Sequence, residues 1–342
     1  MKRIVVSFLA LIYASYSFAD NKIQKLYDSV NNSVVELHVE AIANPKPGQV
    51  NYKVSKANSL GSGALVSKKG RILTAAHVVE RATKIEVTFN DGSKTSGHVV
   101  WVDNLIDLAM IQAAEVPDNI KPLKLAKAED YRVGEQVMVI GAPYGVSHSL
   151  SVGYLSGIRD KDPIPGTGLV PRFLQTDASI NKGNSGGPMF NLDGEILGIV
   201  SHILSKTGDS IGLGFVISTD TIQKIMATDP TIFSGLIPHL LTKKEAKAIN
   251  NPYGYGLLIQ QVVPGTIADR LGFRGGDLNV LIGNTPVLLG GDILLEISGR
   301  PIKDLASALK LRGRLTEYAK GDKIIVKYLR AGEVKQTFWI IE

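Results

Sequence analysis

The chain contains no cysteine among its 342 residues, which excludes disulfides, thiolate catalysis and cysteine-based metal sites at once. H-E-x-x-H is absent and no pair among the six histidines has ligand spacing, so a metallopeptidase has no support and no metal or cofactor is implied. Net charge is +6, yet the 38 basic residues are scattered, leaving no stripe for nucleic acid. A generally basic surface, open to peripheral attraction by acidic membranes, is all that follows. Only one apolar run is long enough to interest a bilayer. Lys2 and Arg3 precede residues 4–19, which close on Ser17-Phe18-Ala19 and so read as a secretory signal peptide cut after Ala19. Retention of 4–19 as a membrane anchor is the alternative, although ~16 residues is short for a full span.

Glycine, at 35 residues, is in excess, and favours a turn-rich, strand-rich fold. Residues 21–30 have helical spacing. Short runs such as "SVVELHVE", "KIEVTFN", "EQVMVIGAP" and "EILGIVSHIL" then follow closely, with almost no helical pattern between them. This spacing argues for a sandwich or barrel rather than βαβ units. "STDTIQKIMATD" (218–229) reads as a helix capped by Ser218 or Thr219 and closes the first region, 20–230. From 231 to 342 helical stretches ("TKKEAKAIN", "KDLASALKLRGRL") alternate with strands, as in an α+β module. Inside it "GGDLNVLIGNTPV" (275–287) is echoed by "GGDILLEISGRPI" (290–302), two strand–turn units arising by duplication or by convergence on turn chemistry. The segment 41–58 reads as a modest loop.

The chemistry lies in three places. "INKGNSGGPMF" sets Ser185 among glycines 183, 186 and 187, whose freedom lets the N–H groups of Gly183 and Ser185 share one concavity. A serine nucleophile needs such an oxyanion hole, a base and an orienter for the base. "ILTAAHVV" places His77 where an apolar strand gives way to small residues, suiting it as base. Asp107 abuts the strand "LAMIQ", where its carboxylate could hold the second imidazole nitrogen; Asp103 is its competitor. A Ser–Lys dyad would make Ser179 the nucleophile and leave Ser185, His77 and Asp107 unexplained. The order His, Asp, Ser and the all-β context oppose an α/β-hydrolase. A non-proteolytic binding protein on the same frame is opposed by the presence of both the serine and the histidine.

These residues carry a resemblance. "TAAHVV", "DLAMIQ" and "TDASINKGNSGGPMF", with "GSGALVS", "IGAPYG" and "GLGFVIS", resemble the HtrA/Deg family of chymotrypsin-like serine proteases across nearly the whole mature chain. The resemblance implies a mainly β fold of two perpendicular six-stranded barrels with the active site between them, followed by an α+β PDZ domain. It implies His77 as general base, Asp107 as orienter, Ser185 as nucleophile, and Gly183 and Ser185 as oxyanion donors. In such folds the primary specificity pocket is floored about six residues before the nucleophile, here Ser179, with Ile180, Leu213 and Phe215 narrowing it. No acid stands there, so cleavage is expected after small or medium aliphatic residues. The PDZ domain would capture peptide C-termini, holding the carboxylate at Phe233, Ser234, Gly235 and Leu236; "YGYGL" (253–257) competes for that role. The resemblance further implies a periplasmic enzyme of protein quality control acting on unfolded proteins, and a homotrimer to which Tyr27 could contribute a contact.

Overall fold

The computed structural model describes residues 22–45, 49–127, 131–142, 148–165, 167–203, 211–227, 233–282 and 285–341. The expected signal peptide and the expected boundary at 230/231 lie outside them. A helix over 22–30 (α1) leads into the first barrel, formed by β1 (Val34–Ile42), β2 (Lys56–Leu65), β3 (Arg71–Ala75), β4 (Ala82–Thr88), β5 (Lys94–Asp103) and β6 (Leu108–Ala113). One helical turn, α2 (Ala76–Val79), follows β3. The second barrel comprises β7 (Gln136–Gly141), β8 (Ser149–Asp160), β9 (Arg172–Thr176), β10 (Pro188–Phe190), β11 (Ile196–Ile203) and β12 (Gly214–Ser218). Both sheets close completely, in the orders β1-β2-β3-β6-β5-β4 and β10-β11-β12-β9-β8-β7. Closure removes the exposed strand edges that such short strands would otherwise leave.

The expected double six-stranded barrel is therefore present. Each barrel has its own interior, Leu37, Leu65, Ile72 and Ile111 in the first, Val137, Leu155, Leu174 and Leu197 in the second. A third cluster joins them: Leu73, Leu108 and Met110 from one barrel pack with Met138, Ile140, Phe190 and Ile199 from the other, and with Leu26 and Val30 of α1. α1 is thus drawn onto the barrel seam by its apolar face. The Tyr27 hydroxyl donates to the His148 carbonyl at 2.6 Å. The next helix, α3 (Thr219–Ala227), begins just after Ser218. Ser218 does not cap it by accepting an N–H. Its hydroxyl donates to the Arg172 carbonyl, and the Asp220 amide donates instead to the Tyr131 hydroxyl.

The C-terminal unit contains β13 (Leu236–Leu240), α4 (Lys243–Ala248), β14 (Leu257–Val262), α5 (Ile267–Arg270), β15 (Leu278–Ile282), β16 (Thr285–Leu289), β17 (Ile293–Ile297), β18 (Arg300–Pro301), α6 (Leu305–Arg314), β19 (Lys323–Arg330) and β20 (Glu333–Ile340). Capping boxes start α4 at Thr242 and α6 at Asp304. The main sheet runs β13-β14-β17-β19-β20, with β18 paired to β17 and β13 at one edge. The β15–β16 hairpin stands apart and pairs instead with the first barrel. Asn51 bridges to Leu278, the Tyr52 amide donates to the Asp277 carbonyl at 2.6 Å, and the Asn279 amide donates to the Val50 carbonyl at 2.7 Å. Residues 41–58 are therefore not a plain loop: their ends belong to β1 and β2, and their middle adds to β15. Beside this clasp, buried Gln261 donates to the Ala43 carbonyl and the Tyr52 hydroxyl and accepts from Arg81 Nε at 2.9 Å.

Replacing Gln261 by leucine leaves the buried Arg81 Nε–H without an acceptor and takes the amide donor from the Tyr52 hydroxyl and the Ala43 carbonyl, so a loss of about 3 kcal/mol is expected in urea unfolding. Hydrogen exchange should locate the effect at the Tyr52 and Asn279 amides. Unchanged exchange at both would show that Gln261 does not hold the clasp.

Candidate active site

The register of the first barrel brings together residues thirty apart. Ala75, last in β3, lies opposite Leu108, first in β6. His77 stands two residues beyond one strand and Asp107 one residue before the other, so the two meet at the barrel rim. Asp107 Oδ1 accepts from the His77 amide at 3.0 Å, and Nδ1 of the imidazole lies 2.9 Å from Oδ1 and 3.0 Å from Oδ2. The Asp107 backbone is left-handed, φ 61°, a conformation costing about 1 kcal/mol for a residue with a side chain. The Ala76 amide, donating to the Asp107 carbonyl at 3.1 Å, helps to hold it there. The competitor Asp103 is engaged elsewhere, with Arg312 of α6 at 3.2 Å.

Ser185 lies on the second barrel's loop before β10, and Ser62 of β2 grips that loop. The fully buried Ser62 hydroxyl donates to the Gly183 carbonyl at 2.7 Å and accepts from the Ala142 amide at 2.9 Å. Its own amide donates to the Ser185 carbonyl at 2.8 Å. Gly186, φ 83°, seats the loop against β3: a Cβ there would lie 2.1 Å from Thr74 Oγ1 and 2.9 Å from the Ala75 nitrogen. Ser185 is thereby set beside the strand end from which His77 departs. The Ser185 hydroxyl makes no hydrogen bond to His77, a contact that commonly tightens only when substrate is bound. Amides 184, 186 and 187 donate to the carbonyls of Asn181, Val200 and Asn184. Among the described residues the Gly183 and Ser185 amides donate to nothing.

Burial pushes the Asp107 carboxyl up, but hydrogen bonds and charge from His77, with a 2.6 Å bond from the Ser201 hydroxyl, outweigh it and hold the group below its ordinary value. Ser201 and Ser62 escape notice in the sequence. Both are serines within strands, and only barrel closure shows what they touch. The one local hint is the glycine on either side of Ser62. A Cβ on Gly61 would lie 2.7 Å from Val78, and one on Gly63 would lie 2.6 Å from Ile72.

The residues expected to form a specificity pocket are only partly assembled. Ser179 is exposed, and its carbonyl accepts from the Asn184 side chain at 3.4 Å. Ile180 is buried and fills the space over Gly214, where a Cβ would lie 2.5 Å from its Cδ1. Leu213 is half-buried just before β12. Phe215 does not join them. Strand alternation turns it to the opposite face from Gly214, where it stacks on His202 at 5.2 Å. At the far site, Phe233 is also diverted, its amide donating to the Val100 carbonyl at 3.1 Å. The amides of Ser234 and Gly235 donate to nothing among the described residues, while their carbonyls accept from Ala268 and Val263. Gly235, φ 81°, is pressed onto Thr266, and Leu236 opens β13.

Two barrels with a histidine–aspartate pair at the seam and a glycine-flanked serine opposite define the trypsin-like peptidase class. The family model "Trypsin-like peptidase domain" matches residues 61–199. A "Probable periplasmic serine endoprotease DegP-like" of Halomonas elongata is 34% identical over 295 residues, 84% of this chain and 57% of that protein. The "Periplasmic serine endoprotease DegP" of Escherichia coli (strain K12) is 31% identical over 289 residues, 81% of this chain and 56% of that one. Among solved structures, "HtrA-type protease AlgW with decapeptide" superposes with a TM-score of 0.51 at 25% identity, covering 92% of this chain and 96% of that chain. The chain belongs to the HtrA/Deg family of serine proteases. It spans little more than half the length of these curated relatives.

With its carboxyl held low, the native state binds a proton at Asp107 less readily than the unfolded chain does. The stabilisation is complete above the unfolded pKa of ~3.9 and is lost as pH falls through the lower folded value. The stability difference between wild type and Asp107→Asn, followed by urea unfolding, should be constant near neutrality and shrink only below about pH 4. A difference independent of pH would contradict the pairing.

Proposed function

We propose that the chain is an exported, periplasmic serine endopeptidase, its peptidase domain spanning 20–230 and a PDZ domain 231–342. The observation that carries this reading is the serine loop gripped beside the His77–Asp107 pair, with the Gly183 and Ser185 amides donating to nothing among the described residues. Ser185 Oγ attacks the scissile carbonyl while His77 takes its proton through Nε2. Asp107 fixes the Nδ1–H tautomer and stabilises the imidazolium. The two amides receive the oxyanion; losing one such donor typically costs about 3 kcal/mol of transition-state stabilisation. Proton return from His77 expels the amine, and water then repeats the sequence on the acyl-enzyme. Ser179 stands where a trypsin-like pocket would need an acid, and Ile180 lays hydrocarbon over Gly214 beside it, which supports soft preference for Ala, Val or Ile.

The free edge of β13 supports capture of an extended peptide as an added strand, with the Ser234 and Gly235 amides receiving its terminal carboxylate. Unfolded proteins offer apolar cleavage sites and free C-termini together, consistent with envelope quality control. Assembly as a homotrimer rests on family resemblance alone.

A fluorophosphonate probe should label wild type, and unfolded casein should be digested. Ser185→Ala and His77→Ala should label not at all and lose on the order of 10⁶ in kcat. Labelling that persists in Ser185→Ala would end the proposal. The assay includes a hydrophobic C-terminal peptide, so that a resting enzyme is not mistaken for an inert one. In calorimetry that peptide should bind, and its C-terminal amide should bind at least about tenfold more weakly; equal affinities would exclude carboxylate capture at 234–235.

A further inference from the structure

Ser201 has one proton and two neighbours. Its Oγ lies 2.6 Å from Asp107 Oδ2 and 2.9 Å from His202 Nδ1. An ionised carboxylate only accepts, so the Ser201 proton goes to Asp107. The second contact is then a hydrogen bond only if His202 Nδ1 carries a proton and donates to Ser201. The order His202 Nδ1–H, Ser201 Oγ–H, Asp107, His77 Nδ1–H follows without choice. Both imidazoles are left with bare Nε2 atoms when neutral. Aromatic packing holds the donor in place: the His202 ring stacks on Phe215 at 5.2 Å and 16°, and meets the Phe173 edge at 5.9 Å.

We propose that His202 is a positioning residue for the His77–Asp107 pair, acting through the Ser201 hydroxyl. The proposal deepens the peptidase reading and rests on it. A hydroxyl is a free rotor. With His202 donating to its lone pair, its proton has one good destination, Asp107 Oδ2. Without that donor the proton can turn away, leaving Asp107 Oδ2 with only its longer contact to His77 Nδ1 and the His77 ring less firmly aimed. The charged groups facing His202 are Lys161, which sits over the Phe173 ring at 4.2 Å, Asp107 and His77. Burial and Lys161 disfavour its charged form, Asp107 favours it, and the balance falls below the ordinary histidine value, so the ring is neutral near pH 7.

Two substitutions separate the hydrogen bond from the packing. His202→Phe keeps the stack and loses the donor, whereas His202→Asn places an amide nitrogen where Nδ1 stood and loses the stack. Steady-state cleavage of a peptide substrate should show kcat about tenfold lower in His202→Phe with KM little changed, the worth of one hydrogen bond. His202→Asn should recover most of that rate. A His202→Phe enzyme that matches wild type, or an Asn variant as impaired as Phe, would overturn the proposal. Imidazole ¹⁵N shifts provide a readout independent of turnover: His202 should carry its proton on Nδ1, and finding it on Nε2 would overturn the proposal equally. A wild type that shows the Nδ1–H form yet neither labels nor cleaves would fault the peptidase reading instead.

Discussion

The molecule's chemistry depends on one fully buried hydroxyl in the first barrel gripping a loop of the second. Apolar packing between the barrels is strong but non-directional; it sets how close they come, not which residue faces which. Ser62 supplies the direction. Its hydroxyl, amide and carbonyl are all spent, on Gly183, Ala142, Ser185 and Thr74. No water competes at a site with no exposure, so these bonds act at full strength. They carry the serine loop to the strand end that launches His77. The acid–base pair is internal to one barrel, whereas its meeting with the serine is a matter between barrels.

That division explains what could be read from the chain alone. His77, Asp107 and Ser185 each advertise themselves locally, by a strand end, an abutting carboxylate and a ring of glycines. The preference for Asp107 over Asp103 needed only its position against β6. Ser62, Ser201 and His202 give little local sign, because Gly183, Asp107 and Phe215, the partners that reveal them, lie far off in the chain and meet them only when sheets close. Tyr131, which serves α3 from 88 positions upstream, is hidden for the same reason. Phe215, expected beside Ile180, lies on the face opposite Gly214, because a period of two separates 215 from the neighbour that Ile180 covers. β10 gives no sign of itself in the sequence, because three residues are too few to show alternation.

The doubled Gly-Gly-Asp has a physical cause whichever way it arose. The two glycine pairs lie back to back: a Cβ on Gly291 would sit 2.9 Å from the Gly276 nitrogen and 2.1 Å from the Ile259 carbonyl. One on Gly276 would strike the Leu288 carbonyl at 2.4 Å. Backbone is nested on backbone, and no side chain fits. The aspartates then diverge. Asp292 is buried against Arg330, while the Asp277 carbonyl reaches across to Tyr52.

That last reach has a consequence for how the two units are aligned. Main-chain bonds between 50–52 and β15 are indifferent to side-chain identity but sensitive to count. A one-residue shift in the pairing of 50–52 with β15 would turn every side chain of the added strand over. The alignment of barrel and C-terminal sheet is in this respect set by main-chain register as well as by side-chain identity.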